Sequence, residues 1–439
     1  MNGEETRRSS TPQCVRTLTT LSSGGLWYLQ SLRCTGITNH GDLMLIKSIE
    51  FYVLPGEPRV REVDGSRGGM EKVPPGWTGM FTHTHGLRGH LGNPSVHYRD
   101  DKPSPTFRLV LRMVTDGDLS AYTDFASGFH ADDLVWKARE FMATIAPMLV
   151  GIDAFDRERV WQKLWYAQRF FYTGRGLVDV IDTMLWDLAS RHSCLPIYKL
   201  LGAYRDSIPA YGLIGGTSID EYVADAVRVQ ELGFVGAKDH SYRGVKGNIQ
   251  LAKELRAAVD DGFLLMHDPV ESYDYDEAVQ VGRALETLDY KWMEEPLQDY
   301  DLLGLKRLSD RLDLPILAME WIGYLGGQPF SASAFLAQQA CDIVRQRGVG
   351  ITGQIKLAHL AESFGALVHG GNPHVILAIR NDPVFEAHMG LKPRPPEDEL
   401  DCRGTLVVEN GAMSIAHSDR RPPEPDWDEH ARTAVEVVR

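Results

Sequence analysis

Residues 264–320 read LLMHDPVESYDYDEAVQVGRALETLDYKWMEEPLQDYDLLGLKRLSDRLDLPILAME, and three short apolar runs within them each finish on an acid. Asp268 closes LLMHD, Glu294 closes KWME and Glu320 closes ILAME, at intervals of 26 residues. Between the runs, apolar positions three or four apart, as in YDEAVQVGRALETLD, fit helices. Equal spacing gives each acid the same place in successive strand–helix units.

The pattern extends in both directions. Strand-like runs occur at Ile208–Tyr211, Val235–Lys238, Leu264–Asp268, Lys291–Glu294, Ile316–Glu320, Asp342–Val344, Ala366–His369 and Val375–Ile379. The first seven start 24 to 29 residues apart, and Ser218 with Glu221 offers a capping box to the first intervening helix. Eight strands at this period fit a closed barrel. An open doubly wound sheet ranks lower, because no GxGxxG follows a first strand. The last interval is too short for a helix, so the fold expected is α/β, a (β/α)7β TIM-like barrel with the final two strands joined by a loop.

Residues 44–125 alternate as strands (FRLVLRMV) around a Gly/Pro/His-rich loop, and residues 131–203 carry helical patterns such as LVDVIDTMLWDLASR. The expected organisation is a leader over 1–43, disordered or an over-extended start, then an α+β N-terminal capping domain over 44–203. The barrel follows over 204–390, and a C-terminal segment over 391–439 is expected to return to the capping domain.

Composition narrows the function. The chain is 43% hydrophobic and 24% charged, which is globular, and its net charge of −14 opposes binding to nucleic acid or to anionic membranes. An anionic small substrate stays open, because a local site can be positive. The five scattered cysteines form no CxxC and read as reduced thiols, and no apolar run spans a membrane. A cytoplasmic location is expected.

In a barrel the C-terminal strand ends converge on one face. Three carboxylates meeting there repel unless a cation neutralises them, and all-oxygen ligation with positions left for water and substrate suits Mg²⁺. Any one of Asp268, Glu294 and Glu320 alone would read as a helix cap or loop acid; three in phase read as metal ligands. Glu295 would point the other way in an extended strand. At the end of the second run, GAKDH places Lys238 and His240 on one face and Asp239 on the other.

These residues resemble the mandelate racemase/muconate lactonizing branch of the enolase superfamily. The resemblance covers roughly Ile46 to Ile379. It rests on DTMLWDLASRHSCLPIYKLLGAYRDSIPAYG (Asp182–Gly212), LMHD, WMEEP, AMEW and GITGQIKLAHLAESFG (Gly350–Gly365). It implies a capping domain that closes the pocket, a Mg²⁺ on Asp268, Glu294 and Glu320, and abstraction of the proton α to a carboxylate. Lys238-x-His240 matches a variant of the family's Lys-x-Lys, and either residue is a candidate base. His369, ending the seventh run, matches a histidine that in many relatives pairs with an Asp on the sixth strand. Here that strand reads DIVRQRGVGIT, with Arg345 and Arg347 but no such Asp, so the dyad reads as broken and His369 as an acid.

Glu386, in NDPVFE, matches a substrate-binding position, with Asn372, His374 and Arg380 as weaker candidates. THTHGLRGHLGNPSVH places His83, His85 and His90 in the capping loop that sets specificity; no acid or cysteine set makes His83 and His85 a zinc site. Arg175 is expected to hold an anionic substrate, or to pair with an acid in the helical region. The resemblance implies a homo-oligomer, dimer or octamer. The function expected is dehydration of a sugar acid to a 2-keto-3-deoxy acid. A cycloisomerase or racemase is the alternative, and a catalytically silent carboxylate-binding barrel is the rival of another class.

Overall fold

Short apolar runs flanked by amphipathic helices bury both faces of a parallel sheet, which closes once eight strands are in place. The computed structural model describes residues 43–60, 62–63, 98–99, 102–117, 119–168, 177–216, 218–324, 327–388 and 394–439. The leader expected over residues 1–43 (all but its last residue), the capping-loop histidines His83, His85 and His90, and Arg175 lie outside them. Strands Ser207–Ile214, Gly236–Asp239, Leu264–His267, Trp292–Glu294, Ile316–Ala318, Ile343–Arg345 and Leu367–His369 pair in parallel in chain order. An eighth, Phe385–Ala387, pairs with the first. Val368 N–H donates to Asn381 O at 3.0 Å, tying the seventh strand to the approach of the eighth.

Alternate strand residues serve two cores. Tyr211, Met266, Trp292, Leu317, Ile343 and Val384 fill the barrel interior. Leu265, Met293, Ile316, Val344 and Val368 face outward onto Tyr222, Leu251, Val281, Leu305 and Leu357 of the surrounding helices. Full burial of each such side chain stabilises the fold by about 1.5–3 kcal/mol. Ser218 accepts from Glu221 N–H, the forward half of the expected box, while Asp274 and Glu277 complete a reciprocal one.

One strand is placed differently from the expectation. Val375–Ile379 is not the eighth strand: Pro373–Ala378 is a helix, and the strand lies at Phe385–Ala387. Asn372 accepts from His374 N–H at 2.9 Å and Pro373 occupies the first helical position. A capping Asn followed by Pro starts a helix, and that local chemistry overrides the β-branched Val375 and Ile376.

Before the barrel, Ile46–Arg59, Ser104–Thr115 and Ser120–Gly128 form an antiparallel sheet, completed at its other edge by Glu436–Val438 from the end of the chain. Helices Ala131–Thr144, Arg157–Ala167 and Leu177–Ser193 share a core with it that includes Phe51, Leu111, Phe141, Ile181 and Leu185. The hairpin Thr405–Glu409/Ala412–Ala416 pairs with the start of the first barrel strand instead. Among the described residues no helix is long and apolar enough to cross a membrane.

The helical layer grips the barrel just beyond the sixth strand. Asp179 accepts from Gly350 N–H at 3.0 Å and Asp182 from Thr352 N–H at 2.8 Å, satisfying the free end of helix Gly350–Ser363. Trp161 Nε1–H donates to Val349 O at 2.7 Å beside them.

Asp182 is buried, and its Oδ1 has no hydrogen bond. Burial pushes its carboxyl up to about 7, against the pull of Thr352. The folded state therefore binds the proton more tightly than the unfolded chain. That stabilisation is complete below the unfolded value of 3.8 and lost as pH rises through about 7. The shift corresponds to roughly 4 kcal/mol at pH 8. Urea unfolding of Asp182→Asn, which cannot titrate, should gain on the wild type from pH 5 to about pH 7 and level off above it. A pH-independent difference would count against this account.

Candidate active site

The strand ends bring four carboxylates and their cations together. Lys238 is fully buried, with Nζ 2.7 Å from Glu294 Oε2, 2.8 Å from Glu386 Oε2 and 3.2 Å from Asp268 Oδ2. His240 Nε2 lies 2.9 Å from Asp268 Oδ2, and its side chain keeps 32% of its surface. Asp239 turns the other way, onto His267 Nδ1 and Ser241 Oγ. Period-2 geometry thus sends Lys238 and His240 to the acids and locks the strand from behind.

Glu320 opens a short helical turn, Glu320–Tyr324, whose backbone is held by Asp299: its oxygens accept from Met319 N–H at 2.6 Å and Ile322 N–H at 3.1 Å. The Glu320 oxygens meet Arg345 Nε and Arg347 Nε, each at 3.0 Å. Arg345 also reaches Glu386 through Nη2 at 3.0 Å and Glu294 Oε1 at 3.4 Å. Neither arginine had been given a role from sequence.

Charge pairing sets the protonation states. Burial would lower Lys238, but Glu294 and Glu386 hold its ammonium well above the usual range. Burial likewise opposes the His240 imidazolium, and Asp268 outweighs it, raising the histidine. Burial would raise Asp268, Glu320 and Glu386. His240 and Lys238 lower the first, Arg345 and Arg347 the second, and Lys238 and Arg345 bring Glu386 well below the carboxylate range.

A hydrogen-bonded chain runs away from this nest. Tyr211 O–H donates to Glu386 Oε2 at 2.7 Å and lies 2.8 Å from His369 Nε2; His369 Nδ1 is 3.3 Å from Asp382 Oδ1. The expectation that His369 lacks a carboxylate is therefore corrected: Asp382, from the loop before the eighth strand, supplies it. Tyr211 gives its one proton to Glu386, and its oxygen faces His369 Nε2. Asp382 was missed because NDPVFE was read for Glu386 alone; Tyr211 sits mid-strand among apolar residues and carried no signal.

The oxygen chemistry of Asp268, Glu294 and Glu320 fits a hard divalent cation, and Glu294 Oε1 is buried without a hydrogen bond. The three are not drawn together, however, since Lys238 and Arg345 lie between them. Among the described residues, Glu271, Glu295 and Asp299 do come together, one oxygen of each within 4.8 Å of the others. Glu295 reaches that group through a left-handed backbone (φ 42°). Burial raises all three, Glu271 to about 7, Asp299 to about 6 and Glu295 well above its usual range. Asn372 spends its side-chain oxygen on the helix cap, accepting from His374 N–H at 2.9 Å.

Residues 221–421 match the model of the enolase C-terminal domain-like family. Over this segment, a little under half of the chain, the protein is similar to the enolase superfamily. It is 34% identical over 185 residues to an L-talarate/galactarate dehydratase of Salmonella typhimurium, covering 40% of this chain and 46% of that one. It is 34% identical over 170 residues to a 3,6-anhydro-alpha-L-galactonate cycloisomerase of Streptomyces coelicolor, covering 36% and 46%. Each alignment thus spans about half of the relative. The crystal structure of D-glucarate dehydratase from Agrobacterium tumefaciens, complexed with magnesium, superposes with a TM-score of 0.65 at 25% identity, covering 90% of this chain and all of that one.

Proposed function

We propose that this enzyme is a Mg²⁺-dependent lyase that dehydrates a sugar acid to a 2-keto-3-deoxy acid. The observation that carries the reading is the pairing of an open imidazole, His240, with a buried one, His369, set between Tyr211 and Asp382, around a single carboxylate nest. Asp268, Glu294 and Glu320 would hold the metal, with Lys238 and Arg345 giving way. Bound there, Mg²⁺ supplies Lewis-acid stabilisation of the charge that gathers on the substrate carboxylate as its α-proton leaves.

Freed of its one ion pair, to Asp268, His240 is the base, because its side chain is the most exposed titratable group of the nest while Lys238 is enclosed and ion-paired three ways. The α-carbon–hydrogen electron pair moves into the enolate, and then expels the β-hydroxyl. His369 gives that hydroxyl a proton by exchanging Tyr211 for it, and Asp382 steadies the imidazole from behind. Lys238 stays cationic and faces the substrate carboxylate with Glu386 behind it. His85 and Arg175 are proposed to contribute from the capping side.

Racemisation is no longer disfavoured by a missing dyad, since Asp382 supports His369. The cycloisomerase relative keeps an intramolecular addition as the second reading. A library of sugar acids, assayed with and without Mg²⁺ and semicarbazide, separates them. Mg²⁺-dependent keto acid with loss of one water is expected. An isomer of unchanged mass would replace dehydration by cycloisomerisation or epimerisation.

A further inference from the structure

We infer that Arg345 is an internal cation that competes with the metal for Glu320 and Glu294, so that metal entry requires release of its guanidinium. This rests on the reading that Asp268, Glu294 and Glu320 are the metal ligands. Arg345 ends the sixth strand with a side chain only 2% exposed. Its Nε lies 3.0 Å from Glu320 Oε2 and 3.4 Å from Glu294 Oε1, the oxygens that a metal on those residues would draw on.

The nest is already close to neutral. Asp268, Glu294, Glu320 and Glu386 face Lys238, Arg345 and Arg347, with His240 beside them. A divalent ion entering this arrangement meets cations on the same oxygens. The Arg345 guanidinium stays charged at any accessible pH, so it can only move.

The structure provides for that movement. Two contacts from Nη2 to Glu386, at 3.0 and 3.1 Å, hold the guanidinium after Nε lets go. Nη1 is buried without a hydrogen bond. Above it lies Gly370, whose φ of +77° and close approach leave no place for a side chain: a Cβ there would sit 2.9 Å from Nη1. Arg345 thus keeps the acids neutralised while the metal is away, which makes metal binding weaker and more readily reversed than three bare carboxylates would.

Isothermal titration of MgCl₂ into the full chain and into Arg345→Met tests this without turnover. Removing the competitor should tighten Mg²⁺ binding by at least about tenfold, equivalent to about 1.4 kcal/mol, and enlarge the rise in melting temperature that Mg²⁺ produces. Equal or weaker binding by the variant overturns the inference. Should the variant fail to fold, a structure of the Mg²⁺-loaded wild type decides: Arg345 Nε beyond hydrogen-bond reach of Glu320 supports it, and an unmoved guanidinium overturns it. Absence of Mg²⁺ binding to either protein overturns the metal reading itself, and with it the inference.

Discussion

Replacing His240 with glutamine is expected to lower turnover about a thousandfold, in the range a positioned general base contributes. The glutamine amide can still donate to Asp268 Oδ2, where His240 Nε2 now sits at 2.9 Å. Mg²⁺ affinity should therefore stay within about threefold of the wild type. Exchange of the substrate α-proton with D₂O should disappear along with product, because the first bond to break is the one His240 serves. Lys238 makes a poorer base in this geometry. Its ammonium is enclosed by Glu294, Glu386 and Asp268, and neutralising it would leave buried carboxylates unpaired. Retention of α-proton exchange in the His240 variant, followed by its loss in Lys238→Met with metal still bound, would transfer the base to the lysine.

Positions set by strand periodicity were legible in the sequence, and contacts made by loops were not. Asp268, Glu294 and Glu320 were legible because each ends a buried run, so sequence spacing maps directly onto one rim of the barrel. Lys238 and His240 were legible as a pair through the two-residue period of a strand. The grip between Asp182 and Gly350–Thr352 joins two stretches whose resemblance was visible, but not their contact. Val375–Ile379 misled because two β-branched residues outweighed Asn372-Pro373 in the reading, whereas in the chain the cap decides.

Asp382 was invisible for a different reason. A loop carries no period, so nothing in RNDP indicated that its acid would turn back to His369, 13 residues earlier. Arg345 was seen only as a departure from a pattern. Its meaning depends on four acids from other strands, and no local window contains them. The same holds for Tyr211, whose hydroxyl lies among apolar neighbours in sequence and between Glu386 and His369 in space.

Glu294→Gln is the variant expected to cost most, with its neighbour as the control. Glu294 is fully buried, contacts Lys238 at 2.7 Å, and its Oε1 has no hydrogen bond and only the Arg345 guanidinium beside it at 3.4 Å. An amide in its place keeps the bond to Lys238 but contributes a neutral ligand. Mg²⁺ affinity should fall at least about a hundredfold, and turnover at saturating Mg²⁺ at least about a thousandfold, because the Lewis acid supplies several kcal/mol of transition-state stabilisation. Glu295→Gln should behave differently despite adjoining it in WMEEP. Burial, then Glu320 and Asp268, raise the Glu295 carboxyl well above its usual range, so a neutral amide is a mild change there. It also lies with Glu271 and Asp299, their oxygens within 4.8 Å of one another. Mg²⁺ affinity and turnover within about threefold of the wild type are expected there. If titration instead shows Glu295→Gln losing the metal while Glu294→Gln retains it, the ion sits with Glu271, Glu295 and Asp299, and the strand-end carboxylates serve only to balance Lys238 and Arg345.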